Sequence, residues 1–179
     1  MNSRYTTTAI LLHWLMAIGL IGNFALGAVM HELDFSPAKL QLYAWHKWAG
    51  VTLFALLLAR LAWRIGNPPP PLPGTLSALA RQAAGLAHAM LYVLMLAIPL
   101  SGWLMSSAKG VPTVWFGVLP LPDLVGKSAG LGHFLEEVHE RLNFALLVLV
   151  GIHVAAALKH RLIDRDDILA RMWPWHGRH

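Results

Sequence analysis

Apolar runs of this chain free of Asp, Glu, Lys and Arg extend over Tyr5–His31, Trp48–Ala59, Gln82–Ala108 and Leu142–Leu158. Such stretches leave few folds open. In a bilayer every backbone polar group must find its partner inside the protein, which helices achieve within a single segment. A helical span takes about 20 mostly apolar residues and tolerates charge at its ends. On that basis the sequence predicts four spans, at about 9–30, 45–64, 86–107 and 139–159. The second has the shortest uncharged run and requires Arg60 and Arg64 to extend from its end toward water. Apolar residues make up 56% of the 179 and charged residues only 13%. Soluble proteins are about 25% charged. The expectation is an all-α integral membrane protein, one domain over residues 1–179, folded as an antiparallel four-helix transmembrane bundle.

The first span is too long for the apolar region of a secretory signal, and no small-residue cleavage pattern follows it, so it is read as retained. The chain has no cysteine. That excludes disulfides, thiolate-bound iron–sulfur clusters and the covalent C-x-x-C-H attachment of a c-type haem. A pI near 10 would suit a nucleic-acid binder, but topology accounts for it better. Four spans put both termini on one side, with Arg4, Arg60, Arg64, Arg81, Lys159, Arg161, Arg165, Arg171 and Arg178. The other side has Lys39, Lys47, Lys109, Lys127 and Arg141. The positive-inside rule then predicts cytoplasmic termini and no nucleic-acid partner.

Thr6-Thr7-Thr8 supplies caps for the first span. A loop at 31–44 carrying Pro37 is expected between the first two spans. Asn67–Gly74, with five prolines, reads as a stiff connector, and 75–85 as a short amphipathic surface helix. Pro99 is expected to kink the third span. The segment 108–135 reads as the longest loop, folded back on the membrane surface. Trp173-Pro-Trp175 in the basic tail reads as an interfacial anchor, as do most other tryptophans.

Ten histidines in such a chain are its chemically informative residues. His139 and His153 stand fourteen residues apart. At about 100° and 1.5 Å per residue they return to within about 40° of one face, about 21 Å apart. Polar side chains at membrane depth are costly and usually functional. One helix can thus offer an imidazole to each of two stacked haems, provided other helices supply opposing rings. Depth pairs His46 with His139 at one level and His13 with His153 at the other. Each histidine alone also fits a bland role: His13 and His46 as interfacial polar residues, His153 as a structural hydrogen bonder. His88 opens the third span at the level of His13 and competes with it. His88 and His160 are candidates for a quinone contact, a proton relay or a propionate partner. Each also reads as an interfacial residue, and for His160 that reading is preferred. Gly50, one turn after His46, leaves room for a flat ring or for close helix packing. Arg60 and Arg64 suit either a positive-inside anchor or a partner for propionates or a quinone headgroup. Lys47 and Arg141 adjoin the outer pair. His31, His133, His176 and His179 are expected in solvent.

These residues together resemble the bacterial cytochrome b561 family over nearly the whole chain. The motif elements are Leu12-His13-Trp14, His46 with Gly50 and Arg60, Gly85-Leu86-Ala87-His88, Val138-His139-Glu140, Gly151-Ile152-His153, Leu158-Lys159-His160 and Arg171-Met172. The resemblance implies two non-covalent b haems with His13, His46, His139 and His153 as axial ligands. It implies a place in the bacterial inner membrane. The chain resembles especially the stand-alone members that pass electrons from periplasmic superoxide to ubiquinone. The family is also similar to cytochrome b subunits that relay electrons between a periplasmic dehydrogenase or hydrogenase and the quinone pool. Such subunits usually have longer termini and loops. A periplasmic redox partner and a homodimer stay open. A third reading, a membrane protein without redox function, predicts colourless purified protein.

Overall fold

The computed structural model describes residues 4–74 and 76–174, so Trp175, His176, Arg178 and His179 lie outside the described residues. Four long helices dominate it: α1 (Thr7–Glu32), α2 (Pro37–Gly66), α3 (Ala78–Ala108) and α4 (Ala129–Lys159). Each starts on a hydroxyl residue that accepts a hydrogen bond from the backbone three positions on: Thr6 from Ala9, Ser36 from Lys39, Ser77 from Ala80 and Ser128 from Leu131. Such caps satisfy donors that the first turn leaves unpaired.

The caps correct three sequence expectations. α2 begins at Pro37, not near 45, because Ser36-Pro37 pairs a capping side chain with a proline whose missing N–H costs nothing in the first turn. The expected 31–44 loop shrinks to Leu33–Ser36. Residues 78–85 are no separate surface helix but the first turns of α3, which runs unbroken through Pro99 to Ala108. α4 starts at Ala129, ten residues before the expected span, so the loop is 109–128 rather than 108–135. Within it Val114–Trp115 pairs antiparallel with Leu119–Pro120. Phe116 and Gly117, at φ 50° and 72°, make the turn.

That hairpin is tied to the helices by tryptophan. Trp48 donates to the Val114 carbonyl (2.7 Å), Trp115 to Thr52 Oγ1 (3.2 Å) and Trp103 to the Pro122 carbonyl (3.0 Å). At the opposite end the tail returns beneath α1. Tyr5 donates its backbone N–H to Arg171, Trp14 its indole N–H to the Met172 carbonyl (2.8 Å), and Arg171 Nη1 reaches the Pro71 carbonyl (2.8 Å). The first and last described segments therefore meet on one side, here called the terminal end; the hairpin marks the loop end.

α1 packs along α2 and α3 along α4, with a lesser α2–α3 contact, while the α4 backbone scarcely approaches α1 or α2. Two helical hairpins thus flank a slot. Few large apolar side chains are buried (Leu57, Met16 and Ile10 among them), whereas Ile18, Ile21, Val93, Phe144 and Ile152 lie on the outside. An apolar exterior of this extent needs lipid. All four helices are long and apolar enough to cross a membrane.

Candidate haem-binding sites

Imidazoles bridge the slot at two levels. At the loop end His46 of α2 faces His139 of α4, ring centres 6.3 Å apart and planes at 84°. At the terminal end His13 of α1 faces His153 of α4 at 6.3 Å and 70°. A metal bound in line by two imidazoles holds the ring centres about 6.2 Å apart, each metal–nitrogen bond being about 2 Å. Both pairs match that separation, one level above the other on α4. His88 of α3 also faces His153, but at 5.4 Å, too close for a metal in line between them.

The loop-end rings are held by groups that fix their tautomer. His46 Nδ1 donates to the Asn23 carbonyl (3.2 Å). His139 Nδ1 lies 3.0 Å from the Ile98 carbonyl and 2.9 Å from Ser101 Oγ, whose own hydroxyl donates to Ile98 (2.8 Å). A carbonyl can only accept, so the proton sits on Nδ1 and the Nε2 lone pair is left for a metal. Two glycines let the helices approach these rings. A Cβ on Gly27 would lie 3.3 Å from His46 Cε1, and one on Gly102 only 3.1 Å from His139 Cε1. A Cβ on Gly50 would lie 3.9 Å from Asn23 Nδ2, and the Asn23 side-chain oxygen is buried without a hydrogen-bond partner. Backbones held apart, two ring pairs at ligation distance and, in the loop-end pair, Nε2 atoms left free by the bonds at Nδ1 together suit a flat, non-covalent macrocycle. The residues present fit haem.

Around the terminal-end pair, Arg60 crosses from α2 to donate to the Ala9 carbonyl (2.9 Å), one turn before His13, and to the Tyr92 hydroxyl (3.1 Å). It does not simply anchor the helix end in the headgroups. Those bonds use two of its five donors. Arg64 stacks over the Tyr92 ring at 5.7 Å. His160 is not among the facing rings: its Nδ1 donates to Asp166 Oδ2 (2.7 Å), with Asp164 Oδ2 at 3.2 Å. At the loop end Lys47 donates to the Val111 carbonyl (3.2 Å), and Arg141, well exposed, pairs with Glu137 (3.3 Å). The sequence reading missed Asn23, Ile98, Ser101, Tyr92 and the two carboxylates at His160. Four of these act from a different helix than the residue they hold, so no local spacing marks them.

Comparison with known proteins agrees with this geometry. Residues 4–175 match the family described as prokaryotic cytochrome b561. The chain is 38% identical over 171 residues to cytochrome b561 homolog 2 of Escherichia coli K12, covering 94% of this chain and 90% of that one. It is 29% identical over 181 residues to cytochrome b561 homolog 1 of the same organism (96% and 98% covered). Against the probable superoxide oxidase CybB of Yersinia pestis it is 27% identical over 176 residues (97% and 98% covered). A four-helix membrane architecture with imidazoles facing across it, matched from end to end, makes this chain a member of the prokaryotic cytochrome b561 family of haem b membrane electron-transfer proteins.

Proposed function

We propose that the chain binds two b haems and moves electrons from periplasmic superoxide to ubiquinone in the bacterial inner membrane, with both termini cytoplasmic. The observation that carries the reading is the repeated 6.3 Å separation of facing imidazoles at two levels of α4. His46 and His139 would hold the outer haem, His13 and His153 the inner one. When bound, haem b supplies a one-electron iron couple at each level. Asn23, Ile98 and Ser101 keep the outer rings oriented. Arg60 has donors left to meet propionate near the inner pair.

The overall reaction takes two superoxide ions, one quinone and two protons to two dioxygen molecules and one quinol. Superoxide is small and needs no deep pocket, only an accessible edge at the loop end with positive charge nearby. Quinone reduction needs protons, and His88, Arg60 and His160 gather toward the terminal end. The relative named as a probable superoxide oxidase supports this choice of donor.

The test is haem stoichiometry by pyridine haemochrome on the purified chain, followed by a superoxide burst and then quinone. Two haems per chain, reduced by superoxide and reoxidised by quinone, are expected. A single haem, or reduction by a co-purifying periplasmic enzyme and not by superoxide, would overturn the stand-alone reading.

A further inference from the structure

The turn that follows α4 is built around a histidine that the paired rings do not use. His160 follows His153 by seven residues. That places it within about 20° of the same helix face and about 10 Å nearer the terminal end. There the helix widens into a π turn over His160–Asp164, and Arg165 enters the left-handed region at φ 54°. The reversal carries Asp166 back until its N–H meets the His160 carbonyl (3.0 Å) and its Oδ2 meets His160 Nδ1 (2.7 Å). Asp166 Oδ1 is engaged as well, accepting the Ile168 N–H (3.0 Å). Asp164 stands second, 3.2 Å from Nδ1, with its charge clamped by Lys159 at 2.6 and 2.8 Å.

This arrangement fixes which nitrogen of His160 does chemistry. Asp166 cannot rotate away without giving up the Ile168 contact, so Nδ1 is committed to the carboxylate and Nε2 is the nitrogen left to face a ligand. The His160 side chain is 21% exposed, enough to meet water while most of the ring lies against protein. An orienting carboxylate behind an imidazole is the arrangement by which proteins set a general acid's tautomer.

Resting on the quinone reading above, we infer that Asp166 is a positioning residue for quinone reduction, holding His160 so that Nε2 delivers a proton to a quinone oxygen. The quinone gains two electrons, which superoxide supplies, and two protons. In the protonated ring the Nδ1 proton stays with Asp166, the Nε2 proton forms the new O–H bond, and Nε2 is reprotonated from water at the terminal end. Asp164, already bound by Lys159, holds the turn.

The experiment uses the haem-loaded full-length protein, with a short-chain ubiquinone as probe. Asp166→Asn keeps an acceptor for Ile168 but turns an NH₂ toward Nδ1 in place of the nearer carboxylate, leaving only the more distant Asp164, held by Lys159, as an acceptor there, which shifts the His160 proton toward Nε2. Two readouts are taken: the tautomer of His160 from nitrogen shifts in ¹⁵N-histidine-labelled protein, assigned with His160→Gln, and the rate of quinol formation. The expected result is a proton relocated from Nδ1 to Nε2, and kcat lowered about tenfold or more with KM little changed. Haem content and reduction by superoxide should be unaffected, and Asp166→Glu should recover part of the rate. An unchanged tautomer, or an unchanged rate in Asp166→Asn while His160→Gln is slow, overturns the role of Asp166. Full quinone reduction in His160→Gln with both haems in place overturns the quinone placement itself.

Discussion

His153 faces two imidazoles, His13 at 6.3 Å and His88 at 5.4 Å, and only one can complete an in-line metal site with it. The longer separation is the one two metal–nitrogen bonds require, so on the proposed reading His88 would stand in a supporting position beside the inner pair. His13→Ala or His153→Ala should then remove one haem from the purified protein, and His46→Ala or His139→Ala the other. His88→Ala should leave both, as read from the Soret band and haem stoichiometry; loss of a haem in His88→Ala with both retained in His13→Ala would reverse the assignment. The groups behind the rings matter less but measurably. Ser101→Ala removes one of the two acceptors at His139 Nδ1 and should weaken outer-haem retention about tenfold, the lower end for losing a group that orients a metal ligand. Haem-loss kinetics to an apoprotein acceptor would show it. The facing pairs were legible in the sequence because a helix repeats regularly: His139 and His153 return to one face, and alternating helix direction sets which partners share their depth. Asn23 and Ile98 were not legible, because each acts through a backbone carbonyl, which every residue possesses.

Among the helices, charge-free runs located all four spans but cut three of them short at their starts. Charged residues such as Lys39, Arg81, Glu136 and Glu137 lie inside helices that outlast the hydrocarbon core. At 31 residues, α4 is about 46 Å long, against about 30 Å of hydrocarbon. What starts these helices is local chemistry at Ser36, Ser77 and Ser128, which hydropathy does not register. Ser36→Ala should cost about 1 kcal/mol and lower the thermal midpoint without altering the haem spectrum. The small residues of α3 have a sharper role. A side chain at Gly102 would press on His139 Cε1, so Gly102→Val should displace that ring and deplete the outer haem while sparing the inner one. Gly151→Ala, where a methyl group meets nothing within 4 Å, should leave the spectrum as it was. Equal haem content in the two variants would mean the α3–α4 approach does not set the ring position.

At the scale of the whole molecule, two helical hairpins hold a slot open, and the two ends of that slot differ in charge. The terminal end carries most of the arginines; the loop end has fewer cations and six acids, Glu32, Asp34, Asp123, Glu136, Glu137 and Glu140. An anionic donor meeting the loop end therefore sees no attractive overall field. The structure reduces the problem by pairing. Lys109 takes Glu136 at 2.7 Å, Arg141 takes Glu137 at 3.3 Å, and His31 approaches Glu140 at 3.9 Å. Lys47 is placed differently: it follows the ligand candidate His46 directly and hydrogen-bonds the Val111 carbonyl, with Asp123 interacting at longer range, so its charge is only partly offset beside the outer pair. Focused charge of this kind raises an anion's encounter rate about tenfold or more at low ionic strength and loses that advantage as salt screens it. Lys47→Gln should accordingly slow haem reduction by a superoxide burst several-fold, up to about tenfold, and flatten the dependence of that rate on salt. Arg141→Gln, whose charge is already spent on Glu137 at the exposed surface, should change either quantity far less. Stopped-flow reduction of the oxidised protein across a salt series separates the cases. Equal salt slopes in Lys47→Gln and the unmodified protein would mean that superoxide reaches the outer pair without help from this lysine, and would leave its approach to the open mouth between the hairpins alone.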